Sequence, residues 1–158
     1  LVALLRSHLR SKGCKVFVND VKVQVSRNGP YFYPDLVVTC DERDLKSKSL
    51  VRYPCLIIEV LSPSTANYDR GKKFRYYRKL KSLKEYVLIS ADTIGVEYYR
   101  LNANQKWELD SYFPDFGESK TEADVVPIDF PCIDFSCAIA DIYEDVELEP
   151  EGENQTDD

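Results

Sequence analysis

The hydrophobic pattern of the chain alternates between helical spacing and short apolar runs typical of strands. Apolar residues with helical spacing open the sequence at Leu1, Leu4, Leu5 and Leu9, and Gly13 ends this predicted helix. Further helices are predicted at 68–81 and, as a short closing element, at 135–143. Strands are predicted at 14–18, 21–26, 33–40, 53–61, 85–91, 95–101, 107–113 and 125–128.

This order of elements favours an α/β (α+β) fold with a mixed central β-sheet flanked by helices. The first two strands surround Asn19-Asp20 and are interpreted as joined by a tight turn. Strands 95–101 and 107–113 are predicted to form a hairpin. Residues 41–52 and 115–123 are predicted to be loops.

The length of 158 residues suits one domain with a substantial core. Without a signal peptide, and with no apolar run near the roughly 18 to 20 residues of a membrane span, we expect a cytoplasmic protein without membrane partners. The chain begins at Leu1 and contains no Met, so we expect that a segment upstream is missing.

Five cysteines are present, at positions 14, 40, 55, 132 and 137. Their odd number and the lack of a C-x-x-C pair argue against a disulfide framework or a zinc site. We therefore expect reduced core cysteines. The single histidine, His8, lies on the amphipathic first helix and is expected to be structural.

The net charge of −6 is unevenly distributed. Residues 144–158 hold eight of the 27 acidic residues and no Lys or Arg, which leaves 19 acidic against 21 basic residues in the rest of the chain. We predict a domain at 1–147 and a disordered acidic tail at 148–158. The charge of the whole chain does not decide the class of ligand.

Two acidic residues stand at or within apolar strands. Asp35 precedes the run Leu36–Thr39, and Glu59 interrupts the run 55–61. Such strands are usually buried on both faces, and a buried carboxylate is costly unless it is paired, protonated or bound to a metal.

Helix geometry assigns a partner to these acids. At about 100° per residue, Asp69, Lys73 and Tyr77 share one helix face, and this aromatic face should lie on the sheet. Lys73 would then point toward Glu59.

Asp35, Glu59 and Lys73 match the needs of metal-dependent phosphodiester cleavage. Two carboxylates suit Mg²⁺, a lysine can assist the water or neutralise charge at phosphorus, and the Val60 carbonyl is a further candidate ligand. Residue types leave a purely structural Asp–Lys–Glu network open, and a glycosidase pair is disfavoured by the lack of a sugar platform.

The predicted second helix is strongly basic. Residues 70–84 hold eight Lys and Arg residues and no acid. Arg70, Arg75 and Lys79 are candidates for contacts to a nucleic-acid backbone. The alternative is a solvated helix face.

Several segments together resemble the Uma-type family of restriction endonucleases, within the PD-(D/E)-x-K nuclease superfamily. They are YPDLVV (33–38), IIEVLSPST (57–65), DRGKK (69–73), EYVLIS (85–90), VEYYR (96–100) and DIY (141–143). The resemblance covers residues 1–147 and implies a restriction-endonuclease-like core.

Carried over by position, the resemblance makes Asp35 and Glu59 the metal-binding acids and Lys73 the catalytic lysine. The position two residues after Glu59 is Leu61, so the lysine comes from the next helix. Asp69 is expected to orient Lys73 or the helix start. The resemblance implies a Mg²⁺- or Mn²⁺-dependent endonuclease acting on DNA, often as a homodimer. A catalytically idle DNA-binding or regulatory module is the alternative.

Overall fold

Six strands assemble into one mixed sheet in the computed structural model, which describes residues 1–113 and 126–148. In spatial order they are β1 (Lys15–Val18), β4 (Leu36–Thr39), β6 (Leu56–Leu61), β7 (Glu85–Ser90), β8 (Val96–Leu101) and β9 (Trp107–Tyr112). β6 and β7 are parallel, and the other neighbours are antiparallel. The predicted mixed sheet is thereby confirmed, as is the hairpin of β8 and β9.

A helical segment connects the two parallel strands, as a parallel pair requires. It consists of α3 (Ala66–Tyr68), a π-helical turn (Asp69–Lys73) and α4 (Phe74–Tyr77). The predicted helix 68–81 therefore begins two residues earlier and ends four residues earlier in the structure. After Tyr77 the backbone closes tighter turns, in which Leu80 N–H donates to the Tyr77 carbonyl.

The predicted pairing of the first two strands is wrong. β1 pairs with β4 in the main sheet, whereas β2 joins a second sheet of three strands. This sheet consists of β2 (Lys22–Gln24), β3 (Tyr31–Phe32) and β5 (Leu50–Val51). Asn19, with a positive φ of 54°, redirects the chain between the two sheets, and a long-range register replaces the local hairpin.

The predicted loop 41–52 also contains regular structure. Residues Glu42–Leu45 form α2, whose first turn is capped by the Asp41 side chain, and β5 follows it. The predicted strand 33–40 is shorter, because Pro34 separates β3 from β4 and proline cannot donate to a strand ladder.

The closing segment differs from its prediction in its first half. Phe135–Ala138 is strand β11, which pairs with β10 (Pro127–Phe130) around a 3₁₀ turn at Pro131–Ile133. Only α5 (Ile139–Ile142) is helical there. Pairing with β10 overrides the helical spacing of 135–143. The predicted loop 115–123 and residues 149–158 of the predicted tail lie outside the described residues.

Two hydrophobic cores lie on the two faces of the main sheet. One joins Leu5 and Leu9 of α1 (Val2–Leu9) to Ile58 of β6 and to the β10–β11 hairpin. The other joins the helical crossover, through Tyr77, to Ile57 and to the second sheet. The central strands are therefore buried on both faces. Glu59 shares the face of Ile57, beneath the crossover.

The prediction of five reduced cysteines is wrong for two of them. Cys14 and Cys40 form a disulfide that links the start of β1 to the end of β4. The register that pairs Lys15 with Thr39 places these cysteines opposite each other when it is continued by one position. Because the bond joins positions 26 residues apart, the spacing of cysteines along the chain does not reveal it.

No helix within residues 1–113 and 126–148 is long and apolar enough to cross a bilayer.

We expect Leu9→Ala to lower the free energy of unfolding by about 2–5 kcal/mol, because Leu9 is 1% exposed and its loss leaves a cavity. Leu4→Ala, on the same helix but 36% exposed, is the matched control and should cost less than about 1 kcal/mol. Urea denaturation of both variants measures this. Equal losses would contradict the packing of α1 against the sheet.

Candidate active site

Asp35 and Glu59 face each other across two antiparallel strands. The β4–β6 register pairs Leu36 with Ile58, and its continuation by one position sets Asp35 opposite Glu59. The Asp35 N–H donates to Glu59 Oε2 at 3.4 Å, and Asp35 Oδ2 accepts from the Val60 N–H at 2.7 Å. The structure therefore brings together the two acids and the residue named as a further ligand.

Glu59 is buried, with 2% of its surface exposed. Its Oε1 accepts hydrogen bonds from Lys73 Nζ at 2.8 Å and from the Tyr77 hydroxyl at 3.1 Å. Burial raises the Glu59 pKa to about 7; the positive charge of Lys73 opposes this shift, and the negative charges of Asp35 and Asp69 add to it. Glu59 is thus a carboxyl group that changes charge near neutral pH.

Lys73 lies between two carboxylates. Its Nζ is 2.8 Å from Glu59 Oε1 and 3.2 Å from Asp69 Oδ1. Burial by itself lowers the Lys73 pKa, but Glu59 and Asp69 outweigh it, so the pKa is raised above its ordinary value. Lys73 is therefore held as an ammonium ion at neutral pH, where the helical spacing predicted it.

The helix that carries Lys73 contains a feature the sequence did not predict. Residues Asp69–Lys73 form a π-helical turn, an irregularity often found at functional sites. The Tyr86 hydroxyl donates to the Asp69 carbonyl at 3.1 Å, and this hydrogen bond anchors the turn to β7. Helical periodicity assumes a uniform turn of about 3.6 residues and contains no signal for this widening.

A second ion pair fixes the other side of the same turn. The Arg70 guanidinium donates to Glu97 Oε1 from Nε at 2.9 Å and from Nη2 at 2.5 Å. The register Glu59–Leu88–Glu97 puts both glutamates in one row across β6, β7 and β8. Glu97 raises the Arg70 pKa through this pairing. Arg70, predicted to contact nucleic acid, is therefore engaged with the sheet.

The remaining basic candidates face outward. Arg75 is exposed on α4, and Lys79 is exposed with its Nζ 5.0 Å from the ring centroid of Tyr76. Close to them lies a cavity of about 630 Å³ with three basic side chains and an indole in its lining, those of Arg78, Lys79, Lys81 and Trp107. This end of the crossover is a basic surface without an acidic residue in its sequence.

Of the two acids, Asp35 lines a cavity and Glu59 does not. Asp35 and Val60 line a cavity of about 350 Å³ whose other walls are largely apolar, with Leu36 and Ile58 among them. Asp35 is half-buried and Val60 is 47% exposed, whereas Glu59 is buried beneath the crossover, on the opposite face of the sheet from Leu36 and Ile58. A ligand can therefore approach from the side of Asp35.

The donor set of this site suits a hard cation with few protein ligands. Two carboxylates and a carbonyl match Mg²⁺, which keeps several waters when protein-bound. Glu59 Oε1 is engaged by Lys73 and Tyr77, so Glu59 Oε2 is the oxygen turned toward Asp35. In the described part of the chain, no three His, Cys, Asp or Glu side chains are grouped for a metal.

Tyr77 was not among the predicted site residues. Its hydroxyl donates to Glu59, and burial, with the negative charge of Glu59 adding to it, raises the pKa of Tyr77. Its place one helical turn after Lys73 was visible in the sequence, but an aromatic residue on an apolar face predicts packing first. Only the structure shows that the hydroxyl reaches the carboxyl group.

This fold is shared with a solved structure. A "putative nuclease belonging to DUF820" from Anabaena variabilis superimposes with a TM-score of 0.65, over 90% of this chain and 75% of that chain. At 18% identity, the similarity shows the fold. The chain therefore has the fold of that structure, a mixed sheet flanked by helices.

The sequence itself places the chain in a family. A family model described as "Uma2: putative restriction endonuclease" matches residues 1–133, so the chain belongs to this family. The predicted resemblance to the Uma-type family is thereby confirmed over these residues.

Two relatives from Synechocystis sp., both uncharacterised, are similar over most of the chain. The protein slr1290 is 41% identical over 112 residues, which are 71% of this chain and 59% of that protein. The protein sll1609 is 35% identical over 111 residues, 69% and 63% of the two chains. The matched region thus spans about three fifths of the length of these relatives.

We expect the free energy of unfolding in EDTA to fall as the pH rises from about 4.5 to about 7. The folded-state pKa of Glu59 is raised, so the folded protein retains a proton that the unfolded chain releases. The decrease in the free energy of unfolding is complete above the folded-state pKa and amounts to at most about 3 kcal/mol. Glu59→Gln should remove this component from denaturation curves.

Glu42→Gln, at an exposed position of α2, is the matched control and should keep the slope of the parent protein. Burial also raises the pKa of Glu85 and adds a slope of the same sign to all three proteins. The difference between parent and Glu59→Gln therefore isolates Glu59. Identical pH profiles for these two proteins would contradict the raised pKa.

Proposed function

We propose that this protein is a Mg²⁺- or Mn²⁺-dependent endonuclease that hydrolyses DNA phosphodiester bonds. The observation that carries the proposal is the contact of Lys73, held as an ammonium ion, with Glu59 opposite Asp35. Two acids and one cation thus lie within hydrogen-bonding reach of one another around Glu59, and Asp35 also lines a cavity. Membership in a family described as putative restriction endonucleases supports it.

Asp35, Glu59 and the Val60 carbonyl are the residues that would hold the metal. When bound, the ion supplies an activated water and offsets negative charge at phosphorus. Glu59 must be deprotonated to act as a ligand, and its pKa of about 7 makes this state accessible at slightly alkaline pH. The scissile phosphate would approach at Asp35, the acid of the pair that is only half-buried.

The sequence allowed Lys73 either to assist the water or to neutralise charge at phosphorus, and this proposal keeps only the second role. Because its pKa is raised, it would act as a fixed positive charge near the phosphate and not as the base that deprotonates water. Asp69 and Tyr77 contact Lys73 and Glu59, respectively, and would position them. Arg70 would hold the π-helical turn against β8 through Glu97.

DNA would run along the exposed side of the crossover. Arg75 and Lys79 are the backbone contacts we propose, since their side chains face outward while Arg70 is paired. A homodimer would allow both strands to be cut, and a cytoplasmic location would give access to DNA. Residues 1–147 are proposed as the domain that carries this activity, followed by the acidic tail.

One observation favours a catalytically idle DNA-binding module instead. Glu59 Oε1 is engaged by both Lys73 and Tyr77, and burial favours the neutral acid. With Glu59 occupied by these contacts, the site would be an ion network that stabilises the fold. The basic helix would still bind DNA. Metal-dependent turnover separates the two functions.

We expect nicking of supercoiled plasmid in Mg²⁺ or Mn²⁺ at pH 8, and none in EDTA. Asp35→Ala should abolish nicking, and Lys73→Met should reduce it by about a hundredfold or more, as removal of a charge-stabilising group does. Gel electrophoresis over a time course measures both effects.

Each variant has a control in the same part of the chain. Lys72→Met changes the exposed neighbour of Lys73, and Asp110→Asn changes an exposed acid of β9. Both should nick DNA at the parent rate. A parent protein that binds DNA but does not nick it in either metal would contradict the endonuclease and favour the binding module.

We expect DNA affinity to fall with salt, because backbone contacts release counterions. Arg75→Gln combined with Lys79→Gln should lower the slope of log K against log salt by about two. Lys48→Gln combined with Lys106→Gln, at exposed positions on other elements, should leave it nearly unchanged. Fluorescence anisotropy measures the slopes, and equal slopes would place the DNA on another surface.

A further inference from the structure

Four of the five cysteines lie in one row at the end of the main sheet remote from Asp35 and Glu59. Cys14 and Cys40 form the disulfide, and Cys55 Sγ lies 4.0 Å from Cys40 Sγ. Cys132 shares a hydrogen bond with Cys55. Asp35 directly precedes β4 and Cys40 directly follows it, so about 17 Å of extended chain separates this row from the acids.

We propose that this row is a thiol–disulfide exchange site, in which the Cys40 sulfur bonds either to Cys14 or to Cys55. The strand order β1–β4–β6 explains why Cys40 is the shared member. Cys14 precedes β1 and Cys55 precedes β6, while Cys40 follows the strand between them. Cys55 is also anchored to β4, because its N–H donates to the Val38 carbonyl at 2.9 Å.

The exchange balances without an external oxidant. Cys55 loses its proton to solvent, and its thiolate attacks Cys40 Sγ. The Cys40–Cys55 bond forms as the Cys14–Cys40 bond breaks, and Cys14 leaves as a thiolate that takes up a proton. One disulfide and one thiol are present before and after the step, so neither is oxidised or reduced overall.

The surroundings of Cys55 support its role as the attacking thiol. The hydrogen bond from Cys132 lowers the Cys55 pKa, against burial and against the negative charge of Glu85. A lower pKa increases the thiolate fraction, which is the reactive form. Cys40 is exposed and Cys55 is half-buried, so the sulfur under attack is open to solvent.

Metal coordination is a poorer explanation of the row. No group of three or more His, Cys, Asp or Glu side chains in the part of the chain that the structure describes is arranged to hold a metal ion. Two of the four sulfurs are also already bonded to each other. Exchange therefore uses the row as it stands, and it does not rest on the proposed nuclease function.

The consequence of exchange is a change in which strand is tied to β4. The Cys14–Cys40 disulfide links β4 to β1, the strand at the edge of the sheet. In the alternative bond, β4 would be linked to β6, the strand that carries Glu59. β4, the strand that follows Asp35, would thus remain cross-linked in both states, and Cys14 would be a free thiol in one of them.

The test is a trapping experiment on the whole chain without reductant. Excess N-ethylmaleimide at pH 8 labels free thiols over time, and tryptic mass spectrometry maps the disulfide. The three cysteines fall in separate peptides, 13–15, 28–43 and 53–70. We expect labelled Cys14 and a 28–43/53–70 cross-linked pair to accumulate. Their absence at all times, with Cys55 labelled and the original bond intact, would overturn the proposal.

Variants give a second, independent readout. Cys55→Ser should lose the labelling of Cys14, while Cys137→Ser, outside the row, should retain it. In Cys14→Ser, oxidised glutathione should be reduced to two glutathione molecules as Cys40 and Cys55 form a disulfide. Stable glutathione adducts on Cys40 and Cys55 in place of that bond would contradict the exchange. Circular dichroism confirms that each variant is folded.

Discussion

The burial of Glu59 is the constraint on which the rest of this structure depends. A carboxyl group with 2% exposure, beneath a helix and within a sheet, must be neutralised by a proton or by a cation. Here both occur together, because burial raises its pKa to about 7 while Lys73 contributes an ammonium ion at 2.8 Å. Its charge state therefore depends on the segment that crosses above it.

Topology supplies that crossing segment. Since β6 and β7 are parallel, the chain must pass over the sheet between them, and its helical path covers Glu59. Two ion pairs then fix the π-helical turn over the sheet: Lys73 pairs with Glu59 on β6, and Arg70 pairs with Glu97 on β8, two strands along. The connection that makes the parallel pair feasible is thus the same element that completes the candidate site.

Much of the fold and the central part of the site could be predicted from local patterns. Apolar runs located the six strands of the main sheet to within a few residues, and helical spacing placed Lys73 toward Glu59. Failures arose where distant pairing outweighed local preference. Phe135–Ala138 has helical spacing but pairs with β10, and β1 pairs with β4 and not with β2 across the tight turn.

Side-chain partners show the same limit. Exposed basic residues look alike in a sequence, so nothing distinguished Arg70, which Glu97 binds, from Arg75 on the outer face. Cysteine spacing likewise predicted reduced thiols, whereas strand register brought Cys14 to Cys40. These outcomes depend on which strands become neighbours.

Local patterns in the amino-acid sequence were enough for the mixed α/β class, the two strand acids, the lysine on the inner helix face and membership in the Uma2 family. Each of these depends on periodicity or motif spacing within a few tens of residues. Tertiary structure decided the disulfide, the second sheet, the π-helical turn, the Tyr77 contact and the pairing of Arg70. Each of these joins groups from segments distant in the chain or requires a backbone distortion, and such contacts form only when the whole core packs.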